Sequence, residues 1–173
     1  DDVMNSRLIS YPLKKLDCCL MTRGVAFMLV TSEEYAKKVA PDHYSVVDGM
    51  GLSSCTIRAG DRCGYPSWKK LYGPGYPDMT EFGACRKSAD DAYKMAGIKN
   101  PKKELDFGEI HDAFSTSEAQ IYKALGLSDK EHMAKFLRDK ETHMDGSIPM
   151  NPGGGLMGYG HPVGATGLMS TIE

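Results

Sequence analysis

The chain has 173 residues, 41% of them apolar and 25% charged, with a formal net charge of -2. That is enough for one ordinary domain with a packed core. It offers no basic field to hold a nucleic-acid backbone, and no apolar run approaches the roughly 20 residues that span a bilayer. The start, Asp1-Asp-Val-Met-Asn5, does not read as a signal peptide. The five cysteines, Cys18, Cys19, Cys55, Cys63 and Cys85, are odd in number and include no C-x-x-C pair. They therefore give neither a disulfide framework nor a zinc site, no metal is expected, and a reducing cytoplasm is the simplest compartment.

In chain order, residues 1–23 read as irregular, with Pro12 as a turn former and a Cys18-Cys19 pair. Val25–Val30 (Val-Ala-Phe-Met-Leu-Val) reads as a buried strand. Thr31 and Ser32 can cap a helix over Glu33–Val39, whose glutamates at 33 and 34 suit its positive end, and Pro41 closes it. Tyr44–Ile57 contains a second strand, interrupted at Gly49 and Gly51. Residues 59–78, with Trp68, Tyr65, Tyr72 and Tyr76 among glycines and prolines, read as a long loop. Its ligand is unassigned, and a dimer contact is the alternative.

A helix is predicted over Met79–Ala96 from the spacing of Phe82, Cys85, Ala89, Ala92, Tyr93 and Ala96, with Gly97 as its stop. Leu105–Ile110 reads as a strand. Ser115-Thr-Ser-Glu118 and Ser128-Asp-Lys-Glu131 read as capping boxes, opening helices to about Leu125 and Arg138. Residues 139–159 read as a glycine-rich loop. A last helix follows His161, and the chain stops inside it, as a fragment would. Strands separated by such helices predict a layered α/β domain.

Two segments carry chemistry. One is Glu109-Ile-His111-Asp-Ala-Phe114, between a strand and a helix. The other is Asn151-Pro-Gly-Gly-Gly155-Leu-Met-Gly-Tyr-Gly160-His161-Pro-Val-Gly164-Ala-Thr-Gly167. Its glycines let backbone approach a ligand or another segment closely, and Pro162 suits a first helical position. His161 then sits where a helix begins, a position suited to a general base or hydrogen-bond donor. The third glycine of a dinucleotide fingerprint and the G-K-[ST] of a P-loop are both missing. His43, His132 and His143 read as structural.

The second segment resembles the G-H-P-x-G-A-T-G signature of thiolases. Residues 109–114 resemble the H-D-x-F motif of the sterol-carrier-type and archaeal-type branch, where biosynthetic thiolases usually carry N-E-A-F. The stretch Asn5-Ser-Arg-Leu-Ile-Ser-Tyr-Pro12 is similar to the exit from the family's loop domain. The resemblance covers this chain but only about the second half of a family enzyme. It implies an α/β fold, a thiolase-like layered α/β/α core half with a mixed sheet covered by helices. Residues 1–22 would be the tail of the loop domain, and 23–173 the C-terminal core domain, incomplete at its C-terminus.

The implied activity is that of an acyl-CoA thiolase of acyl-CoA and lipid metabolism. Such an enzyme performs Claisen condensation, or thiolytic cleavage of a 3-ketoacyl-CoA, through an acyl-cysteine. The implied catalytic residues are His161, which activates the nucleophile and bonds a thioester oxygen, and His111, which helps build an oxyanion hole. Phe114, Asn151 and Gly160 would contact substrate or coenzyme A, with Phe114 beside the pantetheine arm and plain core packing as its alternative. The nucleophilic cysteine and the C-x-G cysteine match none of the five present, so this chain would be inactive by itself. No cofactor is implied, coenzyme A being a substrate. The expected partners are a second copy, in a homodimer or homotetramer, and a zinc-ribbon/OB-fold protein that delivers acyl-CoA. Arg23-Gly-Val-Ala-Phe27 departs from the family's Asp-Gly and small residues. Two alternatives stand beside this reading: a thiolase-fold retro-aldolase acting on an acyl-CoA, and a non-catalytic subunit that binds acyl-CoA or lipid.

Overall fold

The computed structural model describes residues 1–58, 61, 66–73, 78 and 80–173, with Ser67 described by its backbone alone. Tyr65, Tyr76, Cys63 and Met79 lie outside the described residues. The expected irregular start contains a short helix α1 (Asp2–Asn5) and an antiparallel hairpin of β1 (Leu8–Ser10) and β2 (Leu13–Lys14). Its turn holds a cis Tyr11–Pro12 peptide, and one 3-10 turn follows at Lys15–Asp17.

Helix α2 (Glu33–Val39) forms as its capping residues predict: the Ser32 hydroxyl accepts from the Tyr35 N–H at 3.3 Å, and Glu33 pairs with Lys37 one turn on. On either side the expectation fails. Residues 25–30 and 44–57 form no ladder with any described residue. Phe27 and Leu29, in the run expected to be buried, are 87% and 88% exposed, and Leu52 in the second segment is 95% exposed. Strand propensity describes a fit to a pleated, half-buried surface; without a neighbouring strand it has nothing to act on. Gly49 and Gly51 do not merely interrupt a strand. They let this segment lie directly on helix α4 (Gly83–Ala96), where a Cβ at Gly51 would stand 1.8 Å from the Ser88 carbonyl oxygen.

The expected loop over 59–78 contains helix α3 (Pro66–Tyr72). Trp68 is buried and stacks on Tyr72, with ring centroids 6.1 Å apart. The Tyr72 hydroxyl donates to Asp90 at 2.6 Å, and the Arg86 guanidinium lies 5.6 Å from its ring centroid. Tyr72 thus contacts α4 of the same chain. That helix begins at Gly83, after a turn in which Asp78 accepts from the Thr80 N–H and hydroxyl at 2.7 and 2.6 Å. It ends as expected on the left-handed Gly97.

After α5 (Pro101–Glu104), helix α6 (Ser115–Ala124) packs against α4. Neither predicted capping box forms. The Ser115 hydroxyl donates to Asp17 at 2.9 Å and Glu118 accepts from the Tyr122 hydroxyl, so both box members serve other partners. At the second box, Asp129 accepts from the His132 N–H at 2.8 Å, and α7 (Met133–Arg138) starts beyond that turn. The core gathers Ile110, Ile121, Tyr122, Phe136, Ile148 and Met150. Tyr122 and Phe136 meet edge to face at 6.1 Å. The final glycine-rich stretch contains α8 (Gly155–Tyr159), expected as loop, and the chain closes with α9 (Thr166–Ile172). No helix among the described residues is long and apolar enough to cross a membrane.

Candidate active site

The site rests on a join between two segments distant in sequence. Gly108 donates to the Pro149 carbonyl at 3.0 Å, and the Asn151 N–H donates back to Gly108 at 2.7 Å. This single parallel bridge, Gly108 to Met150, is all that forms of the strand expected over 105–110. Side chains then replace the ladder. Asn151, held at a left-handed φ of 52°, accepts from the Ile110 N–H at 2.7 Å. Glu109 accepts from the Gly153 N–H at 2.8 Å. Asp112, only 4% exposed, accepts from the Leu156 N–H at 2.7 Å and the Met157 N–H at 3.4 Å. These last two donors belong to the first turn of α8, whose own carbonyls cannot satisfy them. A helix therefore forms where glycines alone predict loop.

Helix α8 delivers Gly160 and His161 to a third segment. The His161 N–H donates to the Leu20 carbonyl at 2.7 Å, and Thr22 donates to the His161 carbonyl at 3.2 Å. Gly160, at a φ of 94°, allows this approach: a Cβ there would stand 2.3 Å from the Thr22 methyl carbon. Cys19 donates its N–H to the Ala113 carbonyl at 3.0 Å. Residues 18–22, 111–114 and 160–166 thus meet at one place.

The two predicted catalytic histidines are brought together. Their ring centroids lie 4.7 Å apart with the planes at 84°. Burial first, and the facing His161 second, hold the His111 pKa below the ordinary imidazole value, while Asp112 opposes them. The His161 Nδ1 lies 2.7 Å from the Thr166 hydroxyl. Of the predicted substrate-contacting residues, Phe114 is 42% exposed and forms an isolated bridge with Cys18. Asn151 and Gly160 act on backbone in this structure, the first bridging to Ile110 and the second clearing Thr22. The Cys19 thiol borders the site, but burial pushes it up and Asp112 and Cys18 add to that, which makes it a poor nucleophile.

Helix α9 begins at Thr166 rather than at Pro162. Pro162 opens a preceding turn, its carbonyl accepting from the Ala165 and Thr166 N–H groups at 2.7 and 3.0 Å. His132 and His143 stand elsewhere on the surface, facing Asp129 and Asp145. An apolar cavity of about 380 Å³ reaches His111 from the side of Ile110, Ile121 and Met150. Sequence reasoning gave no role to Asp112 or Thr166, although both lie inside the quoted motifs. The available signal was a carboxylate next to His111 and a hydroxyl five positions after His161.

Residues 73–173 match the family described as thiolase C-terminal domain-like. The chain belongs to the thiolase family. It is similar to an acetyl-CoA acetyltransferase of Methanothermobacter thermautotrophicus, 32% identical over all of this chain and 41% of that protein. The benzoylsuccinyl-CoA thiolase subunit BbsB of Thauera aromatica is 30% identical over 96% of this chain and 39% of its own length. The chicken (Gallus gallus) sterol carrier protein 2 is 31% identical over the whole chain and 29% of its own length. The chain therefore spans well under half the length of these relatives. Among solved structures, the Ltp2-ChsH2(DUF35) aldolase superposes with a TM-score of 0.74 at 21% identity, covering 99% of this chain and 41% of that one. That likeness shows the fold, a thiolase-like α/β arrangement; among the described residues it is rich in helices, and its sheet is the two-stranded hairpin of β1 and β2.

Proposed function

We propose that this thiolase domain contributes the histidine half of an active site that makes or breaks a carbon–carbon bond in an acyl-CoA thioester, by Claisen condensation or thiolytic cleavage of a 3-ketoacyl-CoA. The observation that carries the reading is the convergence of His111 and His161, at 4.7 Å, from segments joined by side-chain bonds to backbone. Reactions at a thioester need two things from such a pair. A thiol must lose its proton to become a nucleophile, and the carbonyl oxygen must be stabilised as it gains negative charge.

In this reading His161 takes the thiol proton from a cysteine supplied by the rest of the enzyme. In thiolysis, sulfur attacks the ketone carbon of the 3-ketoacyl-CoA. The bond between that carbon and its neighbour on the thioester side breaks, leaving acyl-cysteine. The departing carbanion, the enolate of acetyl-CoA, is protonated to acetyl-CoA. Free coenzyme A then attacks the acyl-cysteine, releasing the shortened acyl-CoA and returning the cysteine thiol. Donors at His111 and His161 face the oxygens where charge develops; one such donor typically contributes about 3 kcal/mol. Phe114 offers an exposed apolar face for the pantetheine arm. The complete enzyme acts in the cytoplasm as a homo-oligomer.

The test is mass spectrometry of the complete enzyme after incubation with acetoacetyl-CoA. The parent protein is expected to carry one acetyl group on a cysteine, and His161→Ala is expected to carry none. Normal acylation of His161→Ala refutes the assignment.

A further inference from the structure

Fitting a histidine for proton transfer requires more than placing its ring. A neutral imidazole carries its proton on one nitrogen and its lone pair on the other, and only the nitrogen with the lone pair can take a proton. The nitrogen chosen is set by the bond the other one makes. For His161 that bond runs from Nδ1 to the Thr166 hydroxyl at 2.7 Å. Thr166 is 1% exposed, so solvent does not reach its hydroxyl, while His161 is half-buried. The same hydroxyl donates its single proton to the Pro162 carbonyl at 3.2 Å, one helical turn back.

We propose that Thr166 is a positioning residue that locks His161 in the Nδ1–H tautomer, leaving the lone pair on Nε2. The reasoning is a count of protons and acceptors. With the proton on Nδ1, a directional chain forms: Nδ1–H donates to the Thr166 oxygen, and the Thr166 O–H donates to the Pro162 oxygen. Both donors are used, and each bond polarises the next. With the proton on Nε2, the hydroxyl must turn from Pro162 to Nδ1, and the two bonds become one. With the hydroxyl buried, the arrangement that satisfies more donors prevails.

The surroundings hold the pair in register. The His161 backbone is fixed on both sides by Leu20 and Thr22, and Thr166 is the first residue of α9. Neither residue's backbone can drift without breaking main-chain bonds. Because Nδ1 faces Thr166, covalent geometry turns Nε2 to the opposite side of the ring. The consequence for catalysis rests on the reading of His161 as the proton acceptor; the tautomer itself does not.

The experiment is 15N NMR of the imidazole nitrogens in the complete protein at mildly alkaline pH, for the parent, Thr166→Val and Thr166→Ser. Valine keeps the shape of threonine and removes the hydroxyl. The Pro162 carbonyl retains its two backbone donors in that variant. The parent and Thr166→Ser are expected to show a protonated Nδ1 and an unprotonated Nε2 at His161. Thr166→Val is expected to lose that signature, giving a mixture or the opposite tautomer. A parent spectrum with the proton on Nε2 overturns the proposal, even if Thr166→Val fails to fold. So does an unchanged tautomer in a folded Thr166→Val.

The rate of acylation by acetoacetyl-CoA is the second readout. It is expected to fall by about 10²- to 10⁴-fold in Thr166→Val, the range that general-base catalysis commands, and to return in Thr166→Ser. An Nδ1–H signature in a parent protein that is never acylated leaves the lock intact and sinks the thiolase reading instead.

Discussion

Removing the Asp112 carboxylate tests whether the join beneath the histidines is built as described. In Asp112→Ala, the Leu156 N–H at 2.7 Å and the Met157 N–H at 3.4 Å lose their acceptor. The Leu156 side chain is fully buried, so water does not readily replace the carboxylate there. A lost helix-capping acceptor costs about 0.5–2 kcal/mol, and a buried donor left unsatisfied about 1–3 kcal/mol. The longer bond adds little, and the two costs overlap, so a loss of about 1–3 kcal/mol is expected. Asp112→Asn should lie between parent and alanine: its carbonyl oxygen can still accept from Leu156, but its amide then meets Met157 donor to donor. The assay is urea denaturation followed by helical circular dichroism, comparing midpoints at constant m. If Asp112→Ala melts within about 0.5 kcal/mol of the parent with m unchanged, the range typical of an inconsequential surface change, the carboxylate does not hold α8 and the account of the join is wrong.

Two further outcomes follow from the same geometry. His111 has its pKa held low by burial and then by His161, so the folded chain resists a proton that the unfolded chain takes up near an ordinary value of about 6.5. The associated stability is fully present above that value and declines as pH falls through it; urea midpoints from pH 5 to 8 should show this acid loss in the parent and a flatter profile in His111→Gln. Gly160→Ala places a Cβ 2.3 Å from the Thr22 methyl carbon at a φ of 94°. The strain alone costs about 1–3 kcal/mol, and the displaced 20–22 segment should also cut acylation by acetoacetyl-CoA; a variant with parental midpoint and rate would show that this contact is not needed.

How much of the fold the sequence reveals depends on where each element's partners lie. Helix α2 is legible because Ser32, Glu33 and Lys37 answer one another within one turn. The end of α4 is legible because Gly97 needs only its own left-handed backbone. The capping boxes mislead because Ser115 has a better partner in Asp17, nearly a hundred positions away, and Asp129 outcompetes Ser128 for the next turn. Residues 25–30 mislead for a related reason. Their alternation-free apolar run has the composition of a buried strand, but burial is a property of the neighbours, and these side chains stand exposed. Helix α8 inverts the case: glycine at 155 and 158 argues against a helix, and a carboxylate 44 positions upstream creates one.

The candidate site follows the same division. The identities of His111 and His161 are legible because the motifs around them are specific; their approach to 4.7 Å is not, because no local rule relates positions 50 apart. What brings the rings together is polar side chains standing in for strand bonds, Asn151 to Ile110, Glu109 to Gly153 and Asp112 to Leu156. A regular ladder would fix the spacing of two strands but not the direction of the chain beyond them. These bonds do both, since two of them end on the backbone of the turn and helix that lead to His161. The residue next to one histidine therefore positions the other: Asp112 anchors the helix that leads into His161, while Thr166 holds its ring from the far side. Short motifs read as lists of catalysts thus contain their own scaffolding. The residues to vary first are the ones between the histidines' obvious roles, because a change there separates loss of ring placement from loss of the ring itself.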